Sequence, residues 1–234
     1  MNEQKPIRLH FGCGEKYLEG YINIDFPPSE HTVIKVKADL YADFRTLEYQ
    51  PETVDEIRCH HVFEHFSRVE SLKLLLQWRC WLKVGGVFCI ETPDFRNAIK
   101  YYLLGGFKQK CQIGRHIFGS QEAGWAFHKD FWDRSKFQFI LTKLGFEGLR
   151  FRAISHDLAA YFNNPLLNWL GYFLPLVSLR KFQGKKLPNI TVIAKKSAKA
   201  IDERKAVQEN LSLYLVGREG DELLDVWMRE VFGP

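Results

Sequence analysis

The sequence predicts an α/β protein built on a doubly wound, mostly parallel sheet of seven strands, with a helical insertion before the last strand and a helical C-terminal tail. Three observations predict it. Short apolar runs of strand length alternate with longer stretches of helical period, as parallel strands joined by helices do. A glycine turn, Gly12-Cys13-Gly14, follows directly on the first apolar run, residues 7–11. A continuous apolar run, VFCIET at 87–92, lies behind Gly85-Gly86 and reads as a central parallel strand buried on both faces.

In chain order, the first strand holds Ile7, Leu9 and Phe11, and the second holds Tyr21, Ile22 and Ile24 and ends in Asp25. Only about eight residues separate them, fewer than the dozen a parallel crossover normally needs. The first helix is therefore a single turn, or the pairing is not the simple one. Pro27-Pro28 breaks the chain into a loop. Residues 33–38 (VIKVKA) alternate apolar and basic and read as a peripheral third strand ending at Asp39-Leu40. Residues 54–60 read as a fourth strand that leads into His61-Val62-Phe63-Glu64-His65. A helix follows with Ser67 or Ser71 as its cap and Val69, Leu72, Leu75, Leu76 and Leu82 on its apolar side.

After the fifth strand, residues 95–104 are predicted helical and close at Gly105-Gly106. Residues 107–131 show no clean period and hold Gly114, Gly119 and Gly124, which predicts a long irregular segment of the kind that carries function. Residues 132–144 are helical, and strands at 148–154 and 189–195 complete the sheet. Between those strands sits the insertion, 156–188, with Tyr161, Phe162, Trp169, Tyr172 and Phe173 ahead of Arg180, Lys181, Lys185 and Lys186. The expected organisation is one domain over 1–196, with that insertion, and a helical extension over 197–234.

Hydrophobic residues make up 46% and charged residues 26% of the 234, the balance of a soluble globular domain with a substantial core. The net charge of +5 permits an anionic partner without demanding one, and no concentrated basic stripe marks a nucleic-acid binder. The five cysteines (13, 59, 80, 89, 111) are odd in number and include no C-x-x-C pair, so neither a zinc ribbon nor a disulfide framework is indicated. The N-terminal residues carry no apolar signal region and no apolar run reaches about 18 residues. A cytoplasmic setting is expected.

The chemistry is concentrated in residues 7–25. Glycines directly after a strand let a ligand approach the backbone, and an acid at the tip of the next strand is placed to accept hydrogen bonds from the two hydroxyls of a ribose. A dinucleotide fingerprint would need a third small residue where Tyr17 stands, and no G-K-[ST] follows the glycines. What remains is a nucleoside without a phosphate bridge. S-adenosylmethionine (SAM) fits.

Together with these residues, Asp39-Leu40, HVFEHF at 61–66 and GGVFCIETPD at 85–94 make the chain resemble the class I SAM-dependent methyltransferases of the type 11 branch, over about residues 7–155 and the last strand. The short first crossover and the segment RHIFG…HKDFW (115–132) are most similar to small methyltransferases of cell-surface polysaccharide gene clusters. The resemblance implies a Rossmann-like methyltransferase fold, SAM as cofactor and S-adenosylhomocysteine as product. It puts Phe11, Gly12, Cys13 and Gly14 in motif I beside the methionine moiety, Asp25 on the ribose, Asp39 on the adenine amine, Leu40 on the adenine ring and His61 beside the cleft. The acceptor it implies is a hydroxyl of a sugar or glycolipid precursor, so a general base is needed.

His128, whose ordinary pKa lies near working pH, is the candidate base, with Lys129 beside it. Glu64, His65 and Asp94 are expected to line the acceptor side, and Arg115 and His116 either hold an anionic acceptor or decorate a solvated loop. The run 61–65 also matches H-x-x-E-H, the inverted zinc-protease signature. It follows a buried strand and no further motif supplies a third ligand, so no metal is predicted. The insertion reads as a lid or a homodimer face, the alternative being peripheral contact with the inner face of a membrane through residues 161–186. Two rivals to the methyltransferase reading are a silent relative that binds a nucleoside or a partner, and a nucleic-acid methyltransferase. The second is disfavoured because HHVFEH stands where N-P-P-Y would be expected.

Overall fold

A computed structural model of the chain describes residues 5–154, 187–217 and 220–233. The sheet has seven strands: β1 (Arg8–Phe11), β2 (Ile22–Asp25), β3 (Leu40–Tyr41), β4 (Val54–His60), β5 (Leu82–Pro93), β6 (Phe146–Ile154) and β7 (Asn189–Lys196). Their order is β3-β2-β1-β4-β5-β7-β6. The strands from β3 to β5 run parallel, while β7 is inserted antiparallel between β5 and β6. The order reverses beside β1, and a crevice at the carboxyl ends of strands flanking such a point is where open α/β sheets bind ligands.

The short first crossover contains no helix, only turns. Asn23, fully buried on β2, does the work a helix would. Its amide donates to the Leu18 and Tyr21 carbonyls at 3.0 and 3.2 Å and accepts from the Leu18 N–H at 2.9 Å. One side chain thus satisfies the backbone of the connecting loop and lets β1 pair with β2 in the register Phe11↔Ile24.

Helix α1 (Arg68–Trp81) starts at Ser67, whose hydroxyl accepts from the Glu70 N–H while Glu70 accepts from the Ser67 N–H at 2.8 Å. This capping box fixes the entry of the helix behind the β4 tip. Val69, Leu72, Leu75 and Trp78 form its buried side. Trp78 is the centre of the core: it stacks on Phe11 at 5.1 Å between ring centres and lies against Phe63 and Phe88, each at 5.8 Å. Beyond β5 come α2 (Phe95–Leu104), α3 (Phe107–Phe118) and α4 (Arg134–Lys143), the last capped by Asp133. After β7, α5 (Glu203–Ser212) and α6 (Gly220–Phe232) pack back on α1, and Val207, Leu211, Met228 and Val231 join the same buried cluster as Trp78. The C-terminal helices are therefore part of the one core rather than an appendage to it.

Two expectations are corrected. Residues 33–38 are not a strand: Val33 and Ile34 have no sheet neighbour and stay 74% and 38% exposed, while the Lys37 N–H donates to the Gly14 carbonyl at 3.2 Å. That stretch crosses over the glycine turn, and the third strand is the two-residue β3 beyond it. Residues 107–118 are not irregular but form α3, because Ile113 and His116 are buried three residues apart on one face. The irregular part shrinks to the chain between α3 and α4. The expected insertion at 156–188 lies almost wholly outside the described residues.

Trp78 is fully buried and its indole N–H has no partner among the described residues. Trp78→Ala is expected to cost about 3–5 kcal/mol in urea unfolding. Trp78→Phe is expected to cost clearly less, since it keeps the stack and removes the orphaned N–H. Equal losses would displace Trp78 from its central place.

On the opposite face of the sheet His10 and His60 sit 5.7 Å apart, and burial depresses both, His60 to about 4. Between about pH 6.5 and about 4 the unfolded chain binds protons that the folded chain refuses, so stability falls as pH drops through that window. Urea midpoints at several pH values are expected to show this loss in the wild type and a smaller loss in His60→Gln. An identical slope in the two would show that His60 does not carry it.

Candidate cofactor and acceptor site

β1 ends at Phe11, and the chain turns through Gly12 and Gly14 with φ of +63° and +51°. A Cβ on Gly12 would overlap the Val62 side chain, so only glycine fits there. The turn is pinned from the next strand. Asp25, at the end of β2, accepts the Gly14 N–H on one oxygen and the Phe26 N–H on the other, both at 2.7 Å, and His31 Nε2 lies 3.2 Å away. Its side chain is only 8% exposed, yet it borders a cavity of about 340 Å³.

The glycines and Asp25 form one wall of that cavity, Phe44, Arg45 and Phe66 another, and His61, His65 and Lys129 the far end. The segment after α3 closes over it. Trp125 donates its indole N–H to the Glu30 carbonyl at 3.0 Å and meets the His31 ring edge-on at 5.2 Å, while Thr32 donates to Glu122 at 2.6 Å. A loop after β2 and a loop before α4, ninety residues apart in sequence, are thereby tied together across the mouth.

The far end is a compact charge cluster. His61, in the left-handed region at φ +54°, lies between two carboxylates, with Nδ1 3.5 Å from Glu64 and Nε2 3.2 Å from Glu91. Burial opposes its charge, but hydrogen bonds to Glu64 and Glu91 win and lift it to about 9. The same hydrogen bond from His61 holds Glu91 down at about 2, and Thr191 donates to its other oxygen at 2.9 Å. Glu64 is 2% exposed; burial would raise its pKa, and His61 more than offsets that and holds it below the usual carboxylate range. Its Oε2 has no hydrogen-bond partner among the described residues. His65 donates Nδ1–H to the Phe127 carbonyl at 3.1 Å, and His128 Nε2 is 3.9 Å from Glu64. Burial drives His128 down to about 4, so its ring is neutral at pH 7.

Of the residues expected at the site, Gly12, Gly14, Asp25, His61, His65 and Lys129 border the cavity, and Glu64 and His128 sit behind His65. Others do not. Phe11 is buried in the core against Trp78, and Cys13 points away, its thiol near the Lys37 carbonyl at 3.3 Å and pushed up to about 12 by burial. Asp39 is turned to Tyr17 and to the Asn23 N–H, at 2.7 and 2.8 Å, and neither it nor Leu40 borders the cavity. Two strong local donors hold that carboxylate at the β2 edge. Phe44, Arg45 and Phe66 stand where Asp39 and Leu40 were expected. Asp94 caps α2, accepting the Asn97 backbone N–H at 3.3 Å and its side-chain amide at 2.6 Å. His116 is buried and donates Nε2–H to the Pro188 carbonyl at 2.8 Å, while Arg115 is exposed on α3. The inverted zinc signature does not lie on an α-helix, since only residues 63–65 form a single 3-10 turn. A further side chain able to bind a metal lies beside the run: His128 joins Glu64 and His65, with one candidate ligand atom from each lying within 4.8 Å of the others.

No protein-family model and no curated protein matches the sequence. Solved structures do. A SAM-dependent methyltransferase from Archaeoglobus fulgidus is similar over 82% of this chain and 86% of its own, at 16% identity and a TM-score of 0.51. The fold is that of the archaeal methyltransferase. A SAM-dependent methyltransferase from Methanosarcina mazei matches over 84% of this chain and 95% of its own, at 16% identity and a TM-score of 0.46.

Gly12→Ala is expected to cost about 1–3 kcal/mol, from the positive φ together with the overlap on Val62. Adding Val62→Ala is expected to recover the overlap and leave the backbone part. Thermal melts of the two variants check this; a double variant no more stable than the single one would contradict the assigned contact.

Proposed function

We propose that the protein transfers a methyl group from SAM to an acceptor, a hydroxyl of a sugar or glycolipid precursor. The observation that carries the reading is Asp25: a nearly buried carboxylate at the tip of β2, pinned to a positive-φ glycine turn and bordering a cleft. The likeness of fold to the archaeal methyltransferase supports it.

The residues fit the group. A cavity of about 340 Å³ is of the size that holds a small ligand. Asp25 would meet the ribose hydroxyls, the open Gly12–Gly14 backbone would lie along the amino-acid end, and Phe44 and Phe66 offer aromatic walls to a purine. Bound SAM supplies a methyl carbon activated by a sulfonium. The chain supplies alignment and exclusion of water, with Trp125 and the loops it ties together covering the mouth. Asp25, Glu64 and Glu91 around that space favour a cationic guest, while His61 offsets part of their charge.

Proton removal falls to the group around Glu64. His128 has a neutral ring; burial makes it a weak base at about 4, and the Glu64 carboxylate 3.9 Å away offsets only part of that. Arg45 and Lys129, both at Glu70 (3.3 and 3.5 Å), give the rim a basic character suited to an anionic acceptor. The sugar or glycolipid assignment is supported by the resemblance in the short first crossover and in residues 115–132. Membrane contact through 161–186 and a homodimer face belong to the same reading, on a segment outside the described residues. No helix among the described residues is long and apolar enough to cross a membrane.

Calorimetry with SAM is expected to show saturable binding by the wild type and at least a hundredfold weaker binding by Asp25→Ala, with S-adenosylhomocysteine released when a glycan acceptor is added. Unchanged affinity in the variant would remove Asp25 from the ribose. Binding without turnover across hydroxyl acceptors would favour a silent nucleoside-binding relative.

A further inference from the structure

We infer that Glu64, His65 and His128 form a binding site for a divalent transition-metal ion of the zinc class, set into the wall of the cleft. Two histidines and a carboxylate are a donor set that zinc accepts while keeping a coordination position open. The three residues come from two separate parts of the chain, the turn after β4 and the segment before α4. They are held together because the Lys129 N–H donates to the Glu64 carbonyl at 2.9 Å.

Three features of the cluster point to a ligand rather than to ordinary packing. First, Glu64 is almost wholly buried and one of its oxygens, Oε2, has no partner among the described residues. A buried carboxylate oxygen left unpaired is costly, so an ion or a donor is expected there. Second, the His65 Nδ1–H donates to the Phe127 carbonyl, which fixes the tautomer and leaves the Nε2 lone pair free when the ring is neutral. His128 has its Nε2 turned toward Glu64, 3.9 Å away. Anchoring one ring nitrogen on a carbonyl while the other faces the ion is how metal-binding histidines are oriented. Third, Glu64 and His128, though not His65, border a separate cavity of about 10 Å³, room for one water-sized species.

The fit requires a small closure. The candidate ligand atoms lie within 4.8 Å of one another, and ligands on zinc bonds of about 2.1 Å stand nearer to 3.4 Å apart, so the triangle must tighten by about an ångström. His61 Nδ1 and His128 Nε2 both lie against Oε1 of Glu64, at 3.5 and 3.9 Å, while Oε2 has no partner among the described residues, so a turn of the carboxylate is part of that closure.

Metal binding at these residues is independent of the methyl-transfer reading. Its bearing on catalysis rests on that reading. His65 borders the main cavity, so the ion would stand beside the proposed acceptor, where it would acidify a bound hydroxyl and make His128 a ligand rather than a free base.

The test uses the full chain stripped with a chelator and titrated with Zn²⁺ by calorimetry, then with Co²⁺ in the visible range, in the absence of SAM. One equivalent is expected to bind, with cobalt d–d bands of a low-coordinate site. Glu64→Gln and His128→Gln are each expected to weaken binding more than about a hundredfold. His128→Cys is expected to retain the metal and add a thiolate-to-cobalt charge-transfer band, a readout that a folding defect cannot imitate. Cys80 and Cys111 are exposed and can bind zinc adventitiously. Saturation that survives unchanged in both Gln variants, or no saturable binding by the wild type, would overturn the site. SAM affinity measured on the metal-free protein reads the methyl-transfer proposal separately.

Discussion

The hydrogen bond from the Gly14 N–H to the Asp25 carboxylate is the constraint on which the rest of the molecule hangs. Two successive strands normally need a helix between them to run parallel, and here the link is too short for one. The Asp25–Gly14 bond and the Asn23 amide together replace that helix, one closing the turn at its start and the other satisfying the loop behind it. The consequence reaches past the loop. With no Cβ on Gly12, the β4 tip can drop its Val62 side chain against the turn, which places His61 and the following 3-10 turn at the end of the cavity. Strand pairing, cavity shape and the histidine cluster therefore depend on the same few backbone dihedrals.

Much of this was legible because it is written in local chemistry. The strand–glycine–strand–acid run is contiguous, and each residue type there has one dominant physical use: glycine for positive φ, an acid at a strand tip for donors. The doubly wound, mostly parallel class of the sheet also follows from local pattern, since strands alternate with helices along the chain. What misled the reading was the periodicity of residues 33–38, where apolar and basic residues alternate although no neighbouring strand exists to bury the apolar ones. Periodicity states which residues could share a face, not whether anything covers that face. Asp39 shows a related effect. Its neighbourhood in sequence matched an adenine contact, but the side chain is captured by Tyr17 and Asn23, partners that only folding brings near.

The walls of the cavity were the illegible part. Phe44, Phe66 and Trp125 carry no periodic signature, and an aromatic in a loop looks the same whether it faces a ligand or a neighbouring side chain. Trp125 was marked only by lying in a stretch without clear period. The union of His128 with Glu64 and His65 was equally hidden, because a run of sixty residues separates them and the contact is set by a backbone bond from Lys129.

The charge balance at the far end explains why so many ionisable groups can share so little space. Glu64 and Glu91 would repel one another and resist burial, and His61 between them turns that cost into a pair of charge-assisted hydrogen bonds. One cation cannot fully neutralise two carboxylates, and His128 does not help, since burial keeps it uncharged at neutral pH. The cluster therefore carries a residual negative charge beside an apolar cavity, and Asp25 adds a further one at the other end. A pocket with that distribution is suited to a guest that is positively charged at its centre and hydroxylated at one end. An adenosyl sulfonium has that pattern, with Arg45 and Lys129 on the same cavity left to meet an anionic group of the acceptor.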